Sequence, residues 1–251
     1  GLDGTFELYK TSTHYGESDK QIKVISDNIP GFTFDEKNEN SIISGAIKAD
    51  GTSVFKLYYT RNTYTVTYYN PATGENVTKA DVLFGSTYKI DDTVKVSKEH
   101  YKFTGWSLDN RYVEQFEMPA KNVVLKAEFR GNKYLVQYDA NEDSKGTAQG
   151  SMSTVSTEYD LEIEIGINQF VLQGYVFDSW NSKADGTGDK YLPGMVVKNL
   201  TNTDGDVITL YAIWKPATDT EYKVNVYQVM SVKDGIYEAP TLMYSKNKNG
   251  T

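Results

Sequence analysis

The most regular feature of this sequence is an alternation of large apolar residues with small or polar ones, which recurs along the chain. It is clearest in Gly174–Trp180, which is followed by Leu210–Trp214. A near copy occupies Tyr101–Trp106 and is followed by Leu125–Phe129, and a weaker copy occupies Gly31–Asp35. Alternation with a period of two predicts β-strands that bury one face. Because the pattern recurs, the chain is predicted to consist of small modules in tandem.

Two further alternating segments mark where modules begin. Tyr64–Tyr69 and Tyr134–Tyr138 start 70 positions apart (134 − 64), and both combine aromatic and β-branched residues with polar ones. Lys215–Asp219 is typical of a linker, and Tyr222–Val229 predicts one more opening strand. The sequence therefore predicts modules at residues 1–62, 63–132 and 133–216, and the start of a truncated or atypical further module at 217–251.

The aromatic content suits such small modules. A module of this size buries only about 60% of the surface that its unfolded chain exposes, so its core is thin. The chain contains 20 Tyr, 10 Phe and 3 Trp, and aromatic side chains bury the most apolar area per residue. We interpret the aromatic residues at repeat-equivalent positions as module core; a platform for stacking sugar rings is the alternative. These residues are Trp106, Trp180, Trp214, Phe103 and Phe177.

The alternation alone does not decide which of these rings face the core. In a regular strand over Tyr101–Trp106, Phe103 and Gly105 share one face and Trp106 lies on the other. At least one of the large aromatic residues would then point away from the core.

Charge and composition exclude several function classes. The net charge is −8 and the sequence pI is about 4.9, so nucleic acid and anionic membrane surfaces are poor partners. No apolar run approaches the length of about 18 residues that a membrane span needs. The absence of cysteine excludes thiol chemistry and disulfides, and it fits a cytosolic protein or a bacterial surface protein equally well. We expect no membrane insertion in these residues, although a signal and an anchor could lie outside them.

Candidate chemistry is sparse. His14 and His100 lie in different predicted modules, and the sequence contains no nucleophile elbow, phosphate loop or dinucleotide fingerprint. Asn181–Gly186 mimics the start of a calcium loop, but Lys183 occupies a ligand position and Leu192 stands where a bidentate Glu belongs. We expect solvated turns rather than metal sites here. The predictions are therefore no catalysis, no cofactor and no metal.

The three motifs together resemble a known family. An opening Tyr-x-Val-x-Tyr, a central Gly-Tyr-x-Phe-x-x-Trp and a closing Leu-Tyr-Ala-x-Trp are similar to the Listeria–Bacteroides repeat, the internalin B-repeat type of module found in bacterial surface proteins. Residues 134–214 carry the best match. Residues 64–129 depart from it, since His100 replaces the Gly before Tyr101 and Phe129 closes the module. Residues 1–62 lack the Trp and look more like a mucin-binding-protein-type module.

The resemblance implies a fold and a role. The expected fold is mainly β, with a small α+β arrangement as the alternative, in β-grasp-like modules repeated as an extended array. The expected role is a non-catalytic stalk or spacer of an adhesin, extracellular and either attached to the bacterial cell wall or secreted. The motif brings no catalytic residues with it.

Two other functions remain open at this point. The first is a module that binds host glycans or glycoproteins through exposed aromatic residues aligned on a sheet, with Tyr59, Tyr69 and Tyr112 as candidate contacts. The second is an accessory region of a secreted glycoside hydrolase. In each case the chain is expected to be a monomer, with neighbouring modules of the same chain as its other contacts.

Overall fold

The regular elements of the protein are β-strands. The computed structural model describes residues 1–142, 145–228, 232–233, 236–237 and 241–249, and no α-helix occurs within them. The mainly β form is therefore the one adopted, and the crossing helix of an α+β arrangement does not form in the described residues. The chain divides into two compact units, Gly1–Arg130 and Gly131–Thr251, which are described separately.

The first 62 residues form two small sheets with little core. All of these residues are described, and none of their apolar side chains belongs to the buried core of the protein. Strand β1 pairs antiparallel with β3, and β2 pairs antiparallel with β4. The strands are β1 (Gln21–Lys23), β2 (Phe32–Phe34), β3 (Ser44–Ala46) and β4 (Tyr59–Arg61).

This region is attached to the next one by a compact joint. The Arg61 guanidinium lies 5.0 Å from the centroid of the Phe32 ring and 5.9 Å from that of Phe84, and it donates a hydrogen bond of 2.8 Å to the Phe84 carbonyl. The Phe84 amide in turn donates to the Asn62 carbonyl at 2.9 Å. Gly31, at φ +80°, passes so close to the Phe84 ring that a Cβ would collide with it. These contacts attach residues 1–62 to the second module.

The second module is built on a five-stranded sheet, in the order β6-β5-β11-β8-β9, with a separate ribbon of β7 and β10. Strands β5 and β6 are an antiparallel hairpin. The strands are β5 (Thr63–Asn70), β6 (Glu75–Leu83), β7 (Thr87–Lys89), β8 (Tyr101–Leu108), β9 (Arg111–Tyr112), β10 (Gln115–Glu117) and β11 (Val123–Gly131).

The third module repeats this plan. Its five-stranded sheet has the order β13-β12-β18-β15-β16, and β14 and β17 form the separate ribbon. The strands are β12 (Lys133–Asp139), β13 (Val155–Glu158), β14 (Ile163–Glu164), β15 (Tyr175–Asn181), β16 (Lys190–Tyr191), β17 (Val196–Val197) and β18 (Asp206–Pro216).

An irregularity in one strand brings the aromatic residues of each module to the same face. In β8, Gly105 has φ +142°, a conformation that favours glycine. In β15, the pairing with β18 shifts between Phe177 and Ser179. In β15 the extra residue reverses the side-chain alternation, so Phe177 and Trp180 pack in one core cluster. Phe103 and Trp106 pack together in the same way in the second module. The alternation alone left open which of these rings face the core, and the structure shows that both rings of each module do.

In both modules the first and last strands lie side by side and run parallel. In the second module the pairs run from Val66 and Val123 to Tyr69 and Lys126. In the third module six pairs join β12 to β18, beginning with Tyr134 and Asp206. Since paired parallel strands point the same way, the chain enters each sheet at one end and leaves it at the opposite end.

The described residues after 216 are also β. Strands β19 and β22 form an antiparallel hairpin, and β20 pairs with β21. The strands are β19 (Glu221–Gln228), β20 (Val232–Lys233), β21 (Ile236–Tyr237) and β22 (Thr241–Asn249).

Candidate binding surface

The tryptophans of the repeat motif are core residues and not an exposed platform. Trp106 is 4% exposed, Trp180 is 0% and Trp214 is 9%. The Trp106 indole donates to the Val94 carbonyl at 3.2 Å, and the Trp180 indole donates to the Gly166 carbonyl at 2.9 Å. Buried indole groups need such a partner. The core interpretation of these rings is therefore confirmed, and none of them is available to a sugar.

A tyrosine supports each of the two motif tryptophans. The Tyr68 ring lies edge-on to Trp106 at 4.8 Å, and its hydroxyl accepts from the Asp91 amide at 2.9 Å. Tyr138 lies 4.7 Å from Trp180, and its hydroxyl accepts from the Gly166 amide at 2.7 Å. The Tyr68 hydroxyl also contacts that of Tyr88 at 3.2 Å, and burial raises the pKa of Tyr88. These hydroxyl groups hold loops over the core and are not free to bind a ligand.

The structure places the three candidate contact residues apart. Tyr59 lies in the β2–β4 sheet, half-buried, with its hydroxyl donating to the Asp27 carbonyl at 3.2 Å. Tyr69 is half-buried in β5, and Tyr112 lies in β9 at the edge of the same sheet, with β11 and β8 between them. The three tyrosines do not form a continuous row, and only Tyr112 is mostly exposed, at 65%.

Tyr112 is held in place on the sheet. Its hydroxyl is 2.9 Å from the Thr104 hydroxyl, and its ring lies about 3.5 Å from the position that a Cβ on Gly105 would occupy. The ring therefore lies against the strand at ordinary van der Waals distance. A fixed, exposed tyrosine ring is the kind of group on which one sugar ring stacks.

The equivalent position of the third module carries an ion pair instead. Tyr112 pairs with Ser107 across β8–β9, and Lys190 pairs with Asn181 across β15–β16. Lys190 Nζ lies 2.9 Å from the Asp178 carboxylate, which also bonds the Lys215 ammonium. Hydrogen bonds from these two lysines hold the pKa of Asp178 well below its usual range. This edge therefore presents charge where the second module presents an aromatic ring.

The calcium-like loop is organised by one buried amide. Asn181 is 3% exposed; its amide nitrogen donates to the carbonyls of Gly186 and Gly188, and its oxygen accepts from the amides of Lys183 and Gly188. The Asp185 carboxylate accepts from Thr187 at 2.9 and 2.7 Å. These polar groups shape a turn, as the sequence predicts. The sequence did not reveal these hydrogen bonds of Asn181, which we call the Asn181 staple. The only signal in the sequence was the position of Asn181 directly after the motif Trp.

No enclosed cavity stands out in the described part of the chain. An open depression of about 620 Å³ lies beside the β5–β6 turn, between Asn70 and Lys95, and another of about 250 Å³ lies near Leu108 and Asn122. Both have polar and apolar walls in similar measure. Among the described residues, no group of three or more His, Asp or Glu side chains is arranged to hold a metal ion.

Comparison with known proteins assigns the two central modules to families. Residues 134–213 match the Listeria-Bacteroides repeat domain, and residues 64–133 match the Divergent InlB B-repeat domain. Domains of these families are typical of bacterial surface proteins and are typically non-catalytic. The resemblance derived from the sequence motifs is thus confirmed for both modules. The mucin-binding-like character of residues 1–62 is not supported by these matches.

Two longer proteins are similar to part of this chain. Two proteins of Evansella cellulosilytica, named "Putative membrane protein" and "Putative Gly-rich membrane protein", are each 31% identical over 61% and 60% of this chain. The chain spans only 22% and 17% of their lengths. In the described residues, no helix combines the length and apolar character that crossing a bilayer requires.

A solved structure is also similar in part. It contains domains 3-4 of the Streptococcal High Identity Repeats in Tandem from a cell surface protein, at 12% identity over 62% of this chain and 100% of that one. Its TM-score of 0.26 is too low to establish a shared fold. The two family matches together cover residues 64–213, which therefore consist of one divergent InlB B-repeat and one Listeria-Bacteroides repeat.

Proposed function

We propose that this chain is a non-catalytic stalk of a bacterial surface protein, an adhesin, and that it holds another domain away from the cell. The parallel pairing of first and last strands carries this proposal. Because the chain enters each sheet at one end and leaves at the other, a pulling force passes through the paired strands β5 and β11, or β12 and β18. The load then acts on several residue pairs of these two strands at once, which is a suitable arrangement for a stalk.

The use of the polar and aromatic groups supports the same role. The motif rings and the buried amide of Asn181 are all engaged in contacts within their own module. The family matches support an extracellular location, attached to the cell wall or secreted, since these repeats are typical of bacterial surface proteins. The neighbouring modules of the same chain are the proposed contacts, and the proposed state is a monomer.

A display experiment tests the stalk. Residues 1–251 would be anchored on a bacterial surface with an antigen-binding domain at the free end, beside a form that lacks residues 133–216. We expect the deletion to reduce capture of antigen fixed on large beads and to leave capture of soluble antigen unchanged. Soluble capture controls for expression and folding of the reporter. An unchanged bead capture would reject the spacer role.

A second candidate function is binding of one host glycan or glycoprotein by the second module. The observation that favours it is Tyr112, which is 65% exposed and fixed by Thr104. A glycan panel would be compared between the native chain, Tyr112→Ala and Tyr69→Ala, which lies in the same sheet. Binding that is lost only in Tyr112→Ala would establish this function. If the native chain binds no glycan of the panel, the binding function is rejected and the stalk proposal is unaffected.

A further inference from the structure

The β19–β22 hairpin, which follows the third module, resembles the β5–β6 hairpin with which the second module begins. Strands β19 and β22 contain 8 and 9 residues, as do β5 and β6. Both hairpins are antiparallel, and each has an irregularity at the same place, between Tyr68 and Tyr69 in one and between Val226 and Tyr227 in the other. By this register, Tyr222 corresponds to Tyr64.

The two hairpins differ in what lies on their other edge. Strand β5 also pairs with β11, and β12 also pairs with β18, whereas β19 pairs with β22 alone among the described strands. Val66 and Val136 are 0% exposed beneath their closing strands, but the equivalent Val224 is 38% exposed and Tyr222 is 49% exposed. The apolar face and one hydrogen-bonding edge of β19 are therefore uncovered in the described structure.

The closing strands show which chemistry covers such an edge. Their core-facing residues follow the pattern Leu-x-Ala-x-aromatic, and all of them pack in the module core. The small Ala lies between two large side chains, which lets the strand sit close to the motif Trp. In the two modules these residues are Leu125, Ala127 and Phe129, and Leu210, Ala212 and Trp214.

We propose that the free edge of β19 binds a closing strand of this repeat type, a segment with the pattern Leu-x-Ala-x-aromatic, in the parallel direction. An exposed edge of unpaired amide and carbonyl groups accepts an added strand readily. Alternate side chains of the added strand would cover Tyr222 and Val224. A second copy of the chain is a poor donor, because its β11 and β18 are already paired inside their own sheets.

A labelled peptide with the sequence of residues 206–216, which form β18, provides the binding test. We expect saturable binding to the chain 1–251, measured by fluorescence anisotropy, and at least a tenfold loss of affinity in Val224→Lys. The matched control is Asn225→Lys, which places the same charge on the opposite face of the strand and is expected to change affinity less than twofold. Absence of saturable binding, or an equal loss in both variants, would overturn the proposal.

The register can be trapped chemically because the chain contains no cysteine. In the third module Gln137 pairs with Thr209, and Asn225 is the equivalent of Gln137. Asn225→Cys is therefore expected to form a disulfide with a peptide that carries Cys at position 209, in an oxidised glutathione buffer. Cys at position 206 would lie about 10 Å away along the strand, beyond disulfide reach. Equal yields from both peptides would contradict the parallel register.

Sedimentation velocity shows whether the edge of β19 is covered by a second copy of the chain. If the chain self-associates and Val224→Lys abolishes this association, the edge is covered by a second copy of the chain and the proposal is rejected. A chain that stays monomeric yet binds the peptide supports it. Either result leaves the stalk proposal untouched, because that proposal concerns the completed sheets of residues 63–216.

Discussion

The second and third modules place the same rings around a buried tryptophan but finish the edge of the sheet differently. Trp106 and Trp180 each donate to a loop carbonyl, that of Val94 in one module and that of Gly166 in the other. At the sheet edge of the second module, the hydroxyl groups of Tyr112 and Thr104 are in contact. At the equivalent positions of the third module, Lys190 and Asp178 form an ion pair. The core is repeated, and the edge is where the modules diverge.

This contrast has an energetic basis. Changing a buried ring alters its packing on every side. A pair of side chains at a sheet edge contributes little to the free energy of unfolding, whether it is a hydroxyl pair or an ion pair. The edge can therefore vary between repeats without endangering the fold. It follows that substitutions in the core should affect equivalent positions alike, and that substitutions at the edge should not.

The largest effect is expected from Trp180→Ala and Trp106→Ala. Each removes a fully packed ring and its hydrogen bond, which should cost about 3–5 kcal/mol of unfolding free energy. The loss should be confined to the module that carries the substitution. Hydrogen exchange read module by module during denaturant unfolding measures this, with Val124→Ala, at a residue 48% exposed, as the control. Comparable destabilisation of both modules by one substitution would contradict independent cores.

The next effect separates the modules. Asn181→Ala should destabilise the third module by about 2–3 kcal/mol, because it removes the four hydrogen bonds between the buried Asn181 amide and the backbone of the loop at 183–188. The equivalent Ser107 hydroxyl of the second module donates to the Glu128 carboxylate at 2.5 Å and lies 3.5 Å from the Lys126 carbonyl. Ser107→Ala should cost about 1.5 kcal/mol, the lower end for a hydrogen bond to a charged group. Equal costs, measured by chemical denaturation of the two variants, would show that the staple has no special role.

Acid should act on the third module through Asp178. Its folded pKa lies below the unfolded value of about 3.9. The stabilisation is therefore fully present above that value and disappears as pH falls through the folded pKa. Asp178→Asn should lower the stability of this module at pH 7 and flatten its dependence on pH below about 5. Thermal unfolding from pH 7 to pH 2 measures this, and an unchanged acid profile would contradict the assignment.

The smallest effect is expected from exchanging the edge chemistry. The double substitution Tyr112→Lys with Thr104→Asp copies the pair of the third module into the second. We expect the coupling energy from the double-mutant cycle to be about 0.2–1 kcal/mol, as for other exposed pairs. A coupling above about 2 kcal/mol would mean that the edge contributes to the fold as strongly as a buried hydrogen bond does.

Much of this fold follows from the sequence pattern. The strands over Tyr64–Tyr69 and Tyr134–Tyr138 form as predicted, because their alternation matches a sheet with one buried face. The alternation over Asp81–Lys89 would by itself predict one strand there, and that prediction is wrong: β6 begins earlier and ends at Leu83, and a tight turn at Gly85, at φ +74°, separates it from β7. A glycine in an alternating segment was the available signal for that break.

The rest depends on contacts that the pattern does not contain. The register shift after Phe177 brings Trp180 to the same face as Phe177, and period-two reasoning cannot anticipate an extra residue. The candidate surface was predictable only in part. Tyr112 is exposed, but the half-burial of Tyr59 and Tyr69 depends on partners distant in the sequence.

Force spectroscopy of the third module tests the stalk most directly. One molecule would be held at Lys133 and Pro216, the ends of β12 and β18, and another at Lys133 and Glu158, which are paired at one end of the β12–β13 hairpin. The first geometry loads six parallel pairs together, and the second opens pairs one at a time. We expect a clearly higher unfolding force in the first geometry. Equal or lower force there would contradict the proposal that the repeats carry tension.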